Sequence, residues 1–270
     1  MKTRSLNSNL IGIISLIAVT VGIVTVVFGA ERKHARVTEV VHDVRLLAAQ
    51  AAARAAAVND SVNEGTAVRT GNESRAELTF ADQTITRLGA NTVFSFGGAA
   101  RTYDLGSGAI LMTAPRDAGT IKISAGVATC AVSGFTGIWE SHSKFMNKIL
   151  FFEANGEVWL NKNPSDQRHM HSHQMLVFPP NATVLPQPQD FDVCKTINNG
   201  LLFTGFSHQL PSWPLLVEEC EKQRTAPPTQ LVDPTGHDRT DQSIFARPSE
   251  TPPPPARPSP DGELMKQRPH

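Results

Sequence analysis

The chain reads as an all-β protein of short strands, solenoid- or sandwich-like or a barrel, on three observations. Between residues 65 and 178 turn-forming residues recur at the interval of roughly 8 to 12 positions that marks short strands, not alternating strands and helices. Within residues 74–80, Ala76, Leu78 and Phe80 fall on one face while Arg75, Glu77 and Thr79 fall on the other. That period of two belongs to a strand with one packed and one wet face. No repeat of fixed length is visible, which argues against a perfectly regular solenoid and leaves irregular coils with variable turns open.

The first element, residues 1–30, is expected to be a membrane anchor or a signal sequence. Residues 10–29 run without a charge, between Lys2 and Arg4 on one side and Glu31, Arg32 and Lys33 on the other. About twenty helical residues cross a bilayer core of ~30 Å. The apolar character runs all round the segment, where a buried core helix needs only a stripe. The length favours a retained anchor, while cleavage after Gly29 with Val27 upstream stays open. Lys2 and Arg4 hold the N-terminus in the cytoplasm, and Arg32 and Lys33 weaken that bias. The remainder is then expected outside the cytoplasm.

Residues 31–64 read as a strand plus an Ala-rich connector. The β-branched stretch at residues 37–46 predicts a first strand, and the eight alanines within residues 47–58 predict a short surface helix or a mobile connector. Residues 65–178 form the β domain. Its reversals are marked by Gly71-Asn72, Gly89-Ala90-Asn91, Gly97-Gly98, Gly106-Ser107-Gly108, Pro115 to Gly119 and Asn155-Gly156. Asn155-Gly156, between two apolar runs, predicts a hairpin. Residues 179–224 are a closing segment with a proline-punctuated strap, one strand and one short helical turn. Residues 225–270 hold 11 of the 19 prolines and read as a disordered tail, either a spacer or docking peptide or a bare extension.

Composition removes one class of function. Lys+Arg 25 balance Asp+Glu 25, so the chain lacks the positive field of a nucleic-acid binder. His169, His171 and His173 would share one face of a strand, but same-face neighbours about 6.5 to 7 Å apart converge poorly on a metal, and an exposed polar strand or loop is expected. No nucleophile elbow, phosphate-cradling loop or H-E-x-x-H pair is present, so neither catalytic residues nor a cofactor is implied. Of the three cysteines, Cys130 and Cys194 are the candidate bridge and Cys220 the odd one, with two separately buried thiols as the alternative.

The ordered elements Val68-Arg69-Thr70-Gly71, Ser74-Arg75-Ala76-Glu77-Leu78, Arg87-Leu88-Gly89-Ala90-Asn91-Thr92 and Tyr103-Asp104-Leu105-Gly106-Ser107-Gly108 resemble the FecR domain of bacterial envelope proteins. The likeness continues through residues 121–128 and 132–137. It implies a stacked all-β domain and a place in the inner membrane, single-pass with the C-terminal part in the periplasm, or a secreted or periplasmic form after cleavage. In the family's sensor proteins a cytoplasmic helical domain contacts a sigma factor and the periplasmic domain receives a signal. Only residues 1–9 precede the apolar segment here, too few to fold alone, so no direct sigma-factor contact is expected. Two functions follow: a non-enzymatic extracytoplasmic module that binds or senses an envelope protein or cell-wall polymer (glycan), or a structural and assembly component of the cell envelope.

Overall fold

The computed structural model describes residues 34–98, 101–226 and 231–234. The strands, in chain order, are β1 (His34–Val41), β2 (Val44–Leu47), β3 (Arg54–Ala55), β4 (Ser61–Asn63), β5 (Ala67–Thr70), β6 (Arg75–Phe80), β7 (Ile85–Leu88), β8 (Val93–Gly97) and β9 (Thr102–Ala114). They continue with β10 (Thr120–Ala125), β11 (Ala128–Ser133), β12 (Phe135–Ser141), β13 (Asn147–Glu153), β14 (Gly156–Leu160), β15 (Asn163–Met170), β16 (Gln174–Phe178) and β17 (Gln189–Asp190). Three helices follow: α1 (Val193–Asn199), α2 (Leu201–Thr204) and α3 (Trp213–Thr225).

Two sheets stack face to face and share the long strand β9. One, the covered sheet, has the order β4-β1-β6-β7-β9-β12-β13-β16-β17. The other, the open sheet, has the order β3-β2-β5-β8-β9-β10-β11-β14-β15. All pairings are antiparallel except β9 with β10. The chain passes from one sheet to the other every one or two strands, so local turns build a two-layer stack. Its first four strands are integral to it: β1 pairs with β6 and β2 with β5. Within β9 the residue at the change of sheet is Gly108, with φ +88°, and a Cβ there would run into Thr92. Gly106-Ser107-Gly108 is therefore a crossing inside a strand, where the sequence suggests a reversal.

Between the sheets lies the main core, with Leu78, Ile110, Trp139 and Phe151 from the covered sheet facing Phe94, Leu105, Ile123 and Val158 from the open one. A second apolar layer forms on the outer face of the covered sheet. There Leu111, Ile138, Leu150, Phe152 and Met175 pack against Val193, Ile197, Leu202, Phe203 and Leu216 of the helices. The half of β9 after Gly108 and strands β12 and β13 are thus buried on both faces, and residues 109–112 and 149–152 read as continuous apolar runs, as doubly covered strands do. By contrast β10 alternates exposed and buried residues over Thr120–Ile123, with Thr120 and Lys122 outside and Ile121 and Ile123 inside.

Several expectations change here. The first strand is two, β1 and β2, split at His42 with φ 59° and sent to different sheets. The alanine run forms no helix; residues 48–53 are turn and coil and mostly exposed, because a short helix without an apolar stripe is marginal in water. Strands β13 and β14 on either side of Asn155-Gly156 lie in different sheets, so this turn is a crossover and not a hairpin. The closing segment is mainly helical, since the apolar outer face of the covered sheet needs a cover. The tail assignment also shifts. Leu231 to Pro234 dock on the cap, with Val232 bridging to Phe191 in parallel. Val232 N donates to Asp190 O at 3.0 Å, and Lys148 Nζ donates to Pro234 O at 3.1 Å. The expected anchor at residues 1–30, and the tail beyond Pro234, lie outside the described residues.

Candidate functional site

The alternation in β6 correctly buries Ala76, Leu78 and Phe80, but Glu77 on the opposite face is also buried, at 1% exposure. It sits directly across from Arg87 in the β6–β7 register, with Arg87 Nε 2.9 Å from Glu77 Oε2. Arg87 also donates to the carbonyl oxygens of Leu202, Phe203 and His208 and stacks on Phe206 at 4.4 Å. Burial pulls its guanidinium below the ordinary value, and Glu77 opposes that shift. A second cross-strand pair, Glu140 with Lys148 at 3.5 Å, lies on the same covered face. These charges are not on a wet face: the helical cap covers Glu77 and Arg87, and Glu140 and Lys148 are buried, with Lys148 Nζ on the Pro234 carbonyl.

A Ser-His-carboxylate array occurs at the rim of that cap. His208 Nε2 is 2.9 Å from Glu77 Oε1, and its Nδ1 is 3.3 Å from Ser207 Oγ. The hydroxyl of Ser207, however, donates to Glu39 Oε2 at 2.7 Å, and the Ser207 amide donates to the same carboxylate at 3.1 Å. A negative charge therefore stands where acyl transfer needs donors for a developing oxyanion. The array clasps β1 to the cap.

The cysteines pair differently from the expectation. Cys194 on α1 and Cys220 on α3 form the disulfide, with Cα atoms 4.8 Å apart, and Cys130 is free and buried. Cys130 points from β11 into the core between the sheets, whereas Cys194 lies beyond the covered sheet, so a whole layer separates them. Burial pushes the Cys130 thiol far above its ordinary range.

Of the histidines, His169 and His171 lie with ring centroids 4.6 Å apart, and His171 Nδ1 meets Asn155 Oδ1 at 2.9 Å. His173, at φ 64°, turns away, and its Nδ1 faces Glu219 on α3 at 3.3 Å. The three do not converge, and among the described residues no cluster of His, Cys, Asp and Glu is able to hold a metal.

His173 instead belongs to a groove between α3 and one end of the covered sheet. Leu215, Glu218, Glu219 and Lys222 recur at helical spacing and give α3 one stripe toward this groove, while Leu216 and Cys220 face the cap core. A cavity of about 620 Å³ is lined by that stripe together with Arg116, Glu153 and His173. It adjoins a second of about 440 Å³, lined by Ile85, Thr113, Phe135, Thr136, Pro211 and Ser212. Arg116, Gly134, Glu153 and Leu215 border both. Gly134 holds φ +55°, and a Cβ there would lie 2.7 Å from Arg116 Cα. Burial raises the Glu153 carboxyl above the usual range, with Arg116 opposing. Burial likewise lowers the His173 imidazole, against the pull of Glu219 and Asp190. Leu215 stands 47% exposed at the groove.

Sequence reading missed these groove residues. The one clue was position: Glu153 directly follows the doubly buried run at residues 149–152, and Arg116 sits in the turn after the longest strand.

Residues 66–150, 85 of the 270, match the family model described as FecR protein. No curated protein matches the chain in sequence. Two crystal structures of a candidate anti-sigma factor from Parabacteroides distasonis are similar in shape, each at 14% identity. One has a TM-score of 0.44 and covers 67% of this chain and 82% of its own; the other has 0.43, with 56% and 71%. The family match ends inside β13, so the cap and half of the groove lie beyond it.

Proposed function

From a chain that carries a FecR domain over residues 66–150, we propose a non-enzymatic recognition module that acts outside the cytoplasm and binds an envelope partner in the groove along α3. The single observation behind this reading is the groove itself: two adjoining cavities with an exposed leucine and half-buried charged groups, at the junction of the family domain and its own helical cap. Concave sites with mixed apolar and polar linings are where ligands bind. The disulfide between Cys194 and Cys220 supports an oxidising compartment, and the uncharged segment at residues 10–29 supports attachment to a membrane. The capped Ser207 hydroxyl supports binding over catalysis. The test is saturable binding of a component of the envelope fraction by the full chain. Leu215→Asp should abolish it and Lys122→Glu, on the open sheet, should not; equal binding by all three would overturn the groove assignment.

A further inference from the structure

The geometry points to an extended peptide as the occupant of this groove, presenting one cationic side chain to Glu153 and Glu219 and the next apolar side chain to the pocket of Ile85, Phe135 and Leu215. This rests on the groove reading above and names its ligand class. Charge complementarity carries the first half. In the larger cavity Lys222 pairs with Glu218 at 2.8 Å and is drawn to Glu219 as well. The imidazole of His173, 3.3 Å from Glu219, is disfavoured as a cation by burial. The three carboxylates Glu153, Glu218 and Glu219 thus face two full cations, Arg116 and Lys222, among the cavity's lining residues. A carboxylate held in partial burial gains most from an incoming cation.

Shape carries the second half. The two cavities share four border residues, so an occupant that reaches both is a length of chain and not one ring. The smaller one is walled by Ile85, Pro115, Phe135, Pro211 and Leu215, with the hydroxyls of Thr113 and Thr136 already bonded to each other at 3.1 Å. A sugar ring gains most from stacking on an exposed aromatic face. Phe135, the aromatic residue of the groove, is 2% exposed.

The full chain in detergent micelles can be titrated by calorimetry with the capped tripeptides Ala-Lys-Leu, Ala-Gln-Leu and Ala-Glu-Leu. The lysine peptide should bind about fivefold or more tighter than the glutamine peptide, the effect of one partly shielded ion pair, and the glutamate peptide weakest. Glu153→Gln should remove that preference without lowering the melting temperature, and Arg116→Gln should strengthen lysine-peptide binding. No preference for lysine, or one that survives both Glu153→Gln and Glu219→Gln, overturns the proposal. If the tripeptides neither bind nor compete while capture of the envelope partner remains sensitive to Leu215→Asp, the peptide assignment falls and the groove reading stands. A cell-wall oligosaccharide that binds in their place, and is lost with Leu215→Asp, likewise overturns the peptide and keeps the groove.

Discussion

At the scale of single residues, burial decides which charges matter. Glu77 looks like a strand's wet-face carboxylate, and its lysine variant would then be mild. Covered by the cap and bonded to Arg87, it is instead half of a buried ion pair, and removing one partner strands the other charge at a cost of about 3–5 kcal/mol. Glu77→Ala should therefore lower the urea midpoint sharply, and Glu77→Leu combined with Arg87→Leu should cost less than the sum of the single changes. Gly108→Ala should cost about 2–4 kcal/mol, because only glycine accepts both the positive φ and the contact with Thr92. His173 gives a pH signature. Its folded value is lowered, so between that value and the ordinary 6.5 the unfolded chain binds more protons. Stability should fall as pH drops through this window, and His173→Gln should flatten the fall; parallel melting profiles would contradict the assignment. Glu153, with a raised value, acts in the opposite sense above its ordinary 4.5.

At the scale of elements, period and run length were legible and partners were not. The alternation of residues 74–80 gives β6 and its core face, and the uninterrupted apolar run of β13 already announces burial on two sides. What the sequence does not show is which neighbour covers the second side. Cross-sheet passages and hairpins use the same turn residues, so Asn155-Gly156 reads as a hairpin although it joins two layers. The cysteine pairing escaped for the same reason, since spacing says nothing of the sheet that lies between Cys130 and Cys194. The groove was illegible because its two walls, Arg116 to Glu153 and Pro211 to Lys222, meet only after the cap folds back. Peptide mapping of the unreduced protein should link Cys194 to Cys220, with Cys130 alone reacting after denaturation. Replacing both bridged cysteines by serine should cost about 3.5 kcal/mol for a loop of this length, with faster amide exchange confined to α1 and α3. A chain ending at Thr225 loses Val232 and the Pro234 carbonyl that meets Lys148 and should melt a few degrees lower; an unchanged melting temperature would show that Leu231 to Pro234 contribute nothing.

At the scale of the whole molecule, a two-layer β stack carries a disulfide-stapled helical cap on one face, and the groove opens where cap and stack meet. Such a joint gives a ligand access to both parts, so occupancy should bear on α3 as well as on the end of the covered sheet. The most direct measurement places a photo-crosslinking side chain at position 215 in the full chain within the cells that make it, with position 122 on the open sheet as control. Irradiation should yield a discrete adduct from position 215, and the capped Ala-Lys-Leu peptide should suppress it where the Ala-Glu-Leu peptide does not. Adducts of equal yield from positions 215 and 122, or no adduct at 215, would contradict the account.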